Sequence, residues 1–293
     1  MNTFINKNKF DGDAISPAIE ITPGHTNFSG SIPEIYDRHL GPLLFEFSAA
    51  DIADRVARRH PNARQILEIA CGTGISTYHL WRNLNADAQI LATDLNDAML
   101  DYAKDIRGAL KNVTFQQADA QDLGIADKSQ DAVVCQFGLM FFPDKARAMS
   151  EFTRVLEPGG ILALNVWDDL NANKVAGIAK DTIANFFKTD PPDFLSVPFG
   201  FSELDPIRLL FQDAGLEKIE IAIVETSIEC PSAASIARGF VEGNPGISQI
   251  REREGVDEGE IVSALTLAYE REFGPDPLQV PLREIVVLAQ KPA

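Results

Sequence analysis

At 293 residues the chain can form one large domain with a well-buried core, and its 45% apolar content is ordinary for a soluble globular protein. Lysine and arginine number 26 against 43 acidic residues, a net charge of −17 spread along the chain, so the molecule repels polyanions and nucleic acid is disfavoured as a partner. No apolar run approaches the roughly 20 residues that cross a bilayer, the N-terminus has no apolar signal segment, and a cytoplasmic protein is expected.

Residues 1–30, rich in Gly, Pro, Asn and Ser without periodicity, read as a flexible arm able to order over a ligand. Residues 31–60 read as a helical cap: Pro33 opens a short helix, Gly41-Pro42 breaks it, and Ser48 with Asp51 caps a second helix that turns Ile52 and Val56 to one face. From residue 65 the pattern alternates. Strands are expected at 65–70, 88–94, 112–119, 131–137 and 160–167, with helices at 75–84, 97–110 and 144–156. Met99, Ala103, Ile106 and Leu110 are expected inward on the second helix, and Met149, Phe152, Val155 and Leu156 on the third. Strands alternating with helices imply a parallel sheet covered on both faces, an α/β doubly wound fold.

An insertion at 168–200 follows, with one amphipathic segment and a Pro/Phe-rich loop. Ser202 and Asp205 then read as a capping box for a helix ending at Ala214 before Gly215, followed by a strand at 217–229. A second helical insertion, 230–279, precedes a last strand at 283–291. Residues 31–293 are thus expected to form a single domain, and the two insertions, which follow sheet strands, are expected to form a lid at the ligand-binding edge.

The chemistry gathers around ILEIACGTG, residues 66–74, an apolar strand running through a Gly-x-Gly turn into a helix. Gly72 and Gly74 let the backbone approach a ligand at the positive end of that helix. Glu68 lies inside the apolar strand and needs a partner, for which a cationic or amide group at the turn is expected. Asp94 ends the second strand where a carboxylate takes ribose hydroxyls, and Asp119 ends the third where it meets an exocyclic amine. Each alone reads equally as a tight turn or a helix cap; together, at consecutive strand ends, they point to an adenosine-containing ligand.

These residues carry a resemblance. LEIACGTG resembles motif I of the Rossmann-like (class I) S-adenosylmethionine-dependent methyltransferases, and TDLNDAML, ADAQDL, FGLMFFPD and FTRVLEPGGILAL resemble the later motifs in order. The match is to the ubiquinone/menaquinone-biosynthesis type, and it covers residues 32–167 well and 200–229 with 283–291 loosely. It implies a seven-stranded sheet whose last strand runs antiparallel between strands five and six, with S-adenosylmethionine as cofactor. By position, Glu68 would organise the turn and the cofactor's amino group, and Ala70, Gly72 and Gly74 would pass beneath its methionine portion. Asp94 would hold the ribose, Leu95 and Met99 would pack on the adenine, Asp119 and Ala120 would meet its amine edge, and Gln136 would face the ammonium. The family's N-terminal helix closes over the cofactor, which gives Tyr36 a place in the site.

The function implied is transfer of a methyl group to an apolar or aromatic small molecule. Phe141 and Phe142 after strand four, Trp167 at the end of strand five, and Phe199 in the first insertion read either as core or as the wall of such a pocket. His39, beside Tyr36 on one helical face, is the candidate base if one is needed; His79 reads more simply as a surface or core residue, and His25 and His60 as loop residues. No cluster has metal-ligand spacing, so no metal is expected. Two alternatives stand beside this: an NAD-dependent oxidoreductase, although Gly74 is followed by Ile75, Ser76 and Thr77 with no third glycine, and a non-catalytic cofactor-binding assembly protein. Nothing in the sequence decides the oligomeric state.

Overall fold

The computed structural model describes residues 21–253 and 255–293, so most of the expected arm, residues 1–20, lies outside the described residues. The first long element is one continuous helical run: α1 (Ile32–Ile35), a π-helical stretch Tyr36–Phe45, and α2 (Glu46–Arg59). The break expected at Gly41-Pro42 does not occur. Proline cannot supply an N–H and its ring crowds an α-helical turn, but here the coil widens, Glu46 N–H reaching back to the Gly41 carbonyl, and the chain passes through. Nor does Ser48 cap a new helix; it is buried within α2.

The alternating segments form β1 (Gln65–Ile69), α3 (Ile75–Asn83), β2 (Gln89–Asp94), α4 (Asp97–Arg107), β3 (Val113–Gln117), β4 (Gln130–Gln136), α5 (Lys145–Val155) and β5 (Leu156–Trp167). After them come α6 (Lys174–Ala184), α7 (Leu204–Asp213), β6 (Glu217–Cys230), α8 (Ala233–Glu242), α9 (Gly246–Arg251), α10 (Glu258–Phe273) and β7 (Leu278–Gln290). The seven strands lie in the order β3-β2-β1-β4-β5-β7-β6, the first five parallel and β7 antiparallel to both its neighbours. This is the topology the resemblance implied. Apolar residues on both faces of the central strands, among them Ile66, Leu67, Val133 and Val134, are fully buried, as expected of a sheet covered on both sides.

Two local expectations are corrected. Ile106 on α4 is 47% exposed, because the helix buries only a narrow stripe, Met99, Leu100 and Ala103. The helix after the first insertion takes Glu203, not Ser202, as its N-cap, without a side-chain cap bond; Gly215, at φ +77°, follows its end.

β6 and β7 outrun the sheet. β5 pairs with β7 only as far as Trp167 opposite Glu284, whereas the β6–β7 pair continues to Cys230 opposite Leu278. The second insertion therefore grows from a two-stranded arm beyond the carboxyl edge of the parallel strands, where α8 packs against the π-helical stretch and α10 against α6. Tyr269 on α10, fully buried, donates to the Val175 carbonyl on α6 at 2.9 Å and ties the two insertions together. Among the described residues no helix is long and apolar enough to cross a membrane.

Candidate active site

At the carboxyl ends of β1, β2 and β4 the structure opens a cavity of about 460 Å3, within the roughly 300–1,000 Å3 usual for ligand pockets. It is built from the turn outward. After β1 the chain turns through Ala70 (φ +54°), Gly72 (φ +54°) and Gly74 (φ +82°) into α3. Gly74 is required twice over, by its backbone conformation and because a Cβ there would lie 2.9 Å from Arg107 Cδ. Arg107 donates to the Thr73 carbonyl at 2.6 Å and pairs with Asp37 at 3.4 Å, pinning the turn to α4 and the π-helical stretch.

Glu68 lies beneath this turn, fully buried, rather than on the cavity. Its partners are not cationic or amide groups: the hydroxyls of Ser76 and Thr77, in the first turn of α3, donate to it, Thr77 at 2.6 Å. Burial pushes its carboxyl up to about 7, against the pull of those two hydroxyls. Glu68 thus fixes the start of α3 from below.

Asp94, 8% exposed at the end of β2, accepts from Gly72 N–H and Asn96 N–H, each at 2.8 Å, and burial raises its pKa. It lines the cavity with Tyr36, Ala70, Gly72, Leu95, Met99, Asp119, Ala120 and Gln136. Of the cofactor residues expected from the sequence, only Glu68 and Gly74 stand back from this wall. Tyr36 stacks on Phe45 at 4.7 Å, and its phenol is raised well above the usual range by burial and by the charges of Asp94 and Asp37. Gln136, which also lines the cavity, donates its side-chain amide to the Phe45 carbonyl at 3.0 Å.

Phe141 and Phe142 line the cavity; Trp167 and Phe199 do not. They form a buried layer behind it, Trp167 stacking on Phe137 at 3.9 Å and on Phe199 at 5.9 Å. His39 also stands away, its Nδ1 2.8 Å from the Ser235 hydroxyl on α8. From residues 21–28, the end of the segment read as an arm, Ile21, Thr22, Thr26 and Phe28 form part of the wall. Phe28 meets Tyr36, Phe141 and Phe194 edge-on at 6.1, 6.2 and 6.4 Å, and its N–H donates to Asn96. His25 is no loop bystander: 4% exposed, it pairs with Asp193 of the first insertion at 3.2 Å.

The donor set fits S-adenosylmethionine. A buried carboxylate with spare acceptor capacity stands at a strand end, apolar Leu95 and Met99 flank it, and a smaller cleft beside Ala70, Gly72 and Ser76 opens at the N-terminus of α3, which suits a carboxylate. Residues 67–164 match a methyltransferase domain model. The chain is 28% identical over 255 residues to the methyltransferase tpcH of Aspergillus fumigatus, covering 80% of this chain and 86% of that one. It is 27% identical over 218 residues to a demethylmenaquinone methyltransferase of Staphylococcus haemolyticus, covering 67% and 87%. Among solved structures, phosphoethanolamine N-methyltransferase 2 of Haemonchus contortus, in complex with phosphomonomethylethanolamine and S-adenosylhomocysteine, aligns with a TM-score of 0.52 at 16% identity, over 90% of this chain and 61% of that one. The fold and the ordered motifs define a class I methyltransferase. The chain is an S-adenosylmethionine-dependent methyltransferase of Rossmann-like fold.

Proposed function

We propose that the enzyme methylates an apolar or aromatic small molecule. The observation that supports this reading is the aromatic cluster of Phe28, Tyr36, Phe137, Phe141 and Phe142, which shares one cavity with the residues assigned to the cofactor. Such a lining binds rings and isoprenoid chains through apolar burial and edge-to-face contact. The cofactor supplies a methyl group that is already a strong electrophile on its sulfonium.

The chain's work is then to hold an acceptor in line and keep water out, and well-oriented proximity alone is worth about 7–11 kcal/mol. Asp94, Leu95, Met99, Asp119, Ala120 and the backbone at Gln136 bind and orient the cofactor in this reading. The phenol of Tyr36 stays protonated and acts as a hydrogen-bond donor rather than a base. His39, bonded to Ser235 on α8 and absent from the cavity lining, has no role as base in this reading. The net charge of −17 favours a small molecule over nucleic acid, and three free buried thiols suit a reducing cytoplasm.

The test is an acceptor panel in which S-adenosylhomocysteine formation is measured with phenols, quinols and terpenoids beside primary amines and phosphobases. Turnover confined to the first group is expected. Turnover confined to the amines and phosphobases would overturn the reading.

A further inference from the structure

Two adjacent strand ends meet the cavity in a backbone conformation that side chains rarely adopt. Ala70 follows β1 at φ +54° and Phe137 follows β4 at φ +51°. In that region the Cβ crowds the following carbonyl, at a cost of about 1–2 kcal/mol, so the surroundings have to impose it. The two turns touch: a Cβ on Gly138 would lie 2.6 Å from that of Ala70.

For Phe137 the imposing groups are explicit. Its N–H is shared between the main-chain oxygen of Asn165, at 3.2 Å, and the side-chain Oδ1 of the same residue, at 3.1 Å. Its ring lies nearly parallel to Trp167, 6° between planes. The Asn165 amide turns its oxygen toward Phe137 because its nitrogen has an acceptor on the other side, Oε2 of Glu284, at 2.5 Å.

Glu284 is an expensive acceptor. It is 3% exposed, sits in β7 opposite Trp167, and its Oε1 has no hydrogen-bond partner among the described residues. Burial pushes its carboxyl up to about 7 against the pull of Ser48 and Asn165. An apolar pair of the same shape at Asn165 and Glu284 would serve the sheet at lower cost. The strand does not need this carboxyl; the Asn165 amide does.

We propose that Glu284 is a positioning residue which, through Asn165, holds Phe137 in its left-handed conformation and so fixes the Gln136–Gly138 wall of the cofactor cavity. The inference rests on the cavity being the S-adenosylmethionine site and is independent of the acceptor class.

The experiment reverses the hydrogen bond. Asn165→Asp places a second carboxyl against Glu284, Glu284→Gln keeps an acceptor for Asn165, and the two together restore a bond with donor and acceptor exchanged. Each full-length variant is titrated with S-adenosylhomocysteine by calorimetry. In a Trp81→Phe background, Trp167 is the remaining tryptophan, and its emission reports the Phe137 stack. Asn165→Asp is expected to weaken binding about tenfold and shift the emission, while Glu284→Gln and the exchanged pair bind within about twofold of the parent. Parental affinity and emission in Asn165→Asp, or no rescue in a folded exchanged pair, overturns the proposal; should that pair not fold, Asn165→Asp decides alone. A parent that does not bind S-adenosylhomocysteine sinks the cofactor assignment itself.

Discussion

Replacing Asp94 with alanine is the sharpest single-site perturbation of cofactor binding. The carboxylate already accepts two backbone N–H groups, from Gly72 and Asn96, each at 2.8 Å. Each oxygen keeps a further lone-pair site, and the exposed remainder of the side chain faces the cavity. A ribose diol bound there gains charge-assisted hydrogen bonds, whose loss costs about 1.5–3 kcal/mol. That is roughly a 10- to 150-fold rise in Kd. Asp94→Asn separates the ligand bond from the fold: it keeps one acceptor oxygen but sets an amide donor against a backbone N–H, so its loss is expected to be intermediate. Calorimetric titration with S-adenosylhomocysteine, alongside circular dichroism to confirm folding, measures both. A folded Asp94→Ala variant whose Kd stays within about twofold of the parent would refute the ribose assignment.

Further outcomes follow from the buried groups. Burial lifts the Glu284 carboxyl from 4.5 to about 7, so between those values the native state binds more protons than the unfolded chain and stability falls as pH rises. A displacement of this size corresponds to about 3 kcal/mol. Glu284→Gln is therefore expected to raise Tm relative to the parent near about pH 8 and to lose that advantage near about pH 5; an equal difference at both pH values contradicts it. Gly138→Ala forces a Cβ to 2.6 Å from Ala70 and 2.8 Å from Cys135 Sγ, and is expected to lower both Tm and S-adenosylhomocysteine affinity. A variant with unchanged affinity means the two turns do not set the cavity wall. His39→Ala is expected to leave that affinity within about twofold, since His39 bonds Ser235 rather than a cavity residue; a large loss in a folded protein would restore it to the site.

What the sequence revealed and what it hid divide along the range of the interactions. ILEIACGTG was legible because an alternating apolar strand, a glycine turn and a helix are local patterns, and Asp94 and Asp119 fall at the next two strand ends by the same reckoning. The antiparallel seventh strand came from the resemblance, since periodicity says nothing of where a strand inserts. Pro42 misled because its usual meaning, a helix end, assumes α geometry, and the π-helical widening that admits it has no residue signature. Ser48 carried the composition of a cap yet lies in mid-helix beside Glu284 of β7. Ile106 fitted the helical period but fell outside the narrow stripe that α4 presents to the sheet. Phe28 and His25 were hidden in a polar segment whose partners, Asn96 and Asp193, lie 68 and 168 residues away. Asn165 and Glu284 are 119 residues apart, and each alone reads as a polar residue in an apolar strand. Tertiary pairs of this kind have no local pattern to read.

A crystal structure with S-adenosylhomocysteine bound tests the central claim most directly. The ribose diol is expected on Asp94, the adenine against Leu95 and Met99 with its amine toward Asp119, and the thioether sulfur facing a space walled by Phe28, Phe137 and Phe141. Density for the adenosine elsewhere, or a sulfur facing charged side chains instead of that aromatic wall, would contradict it.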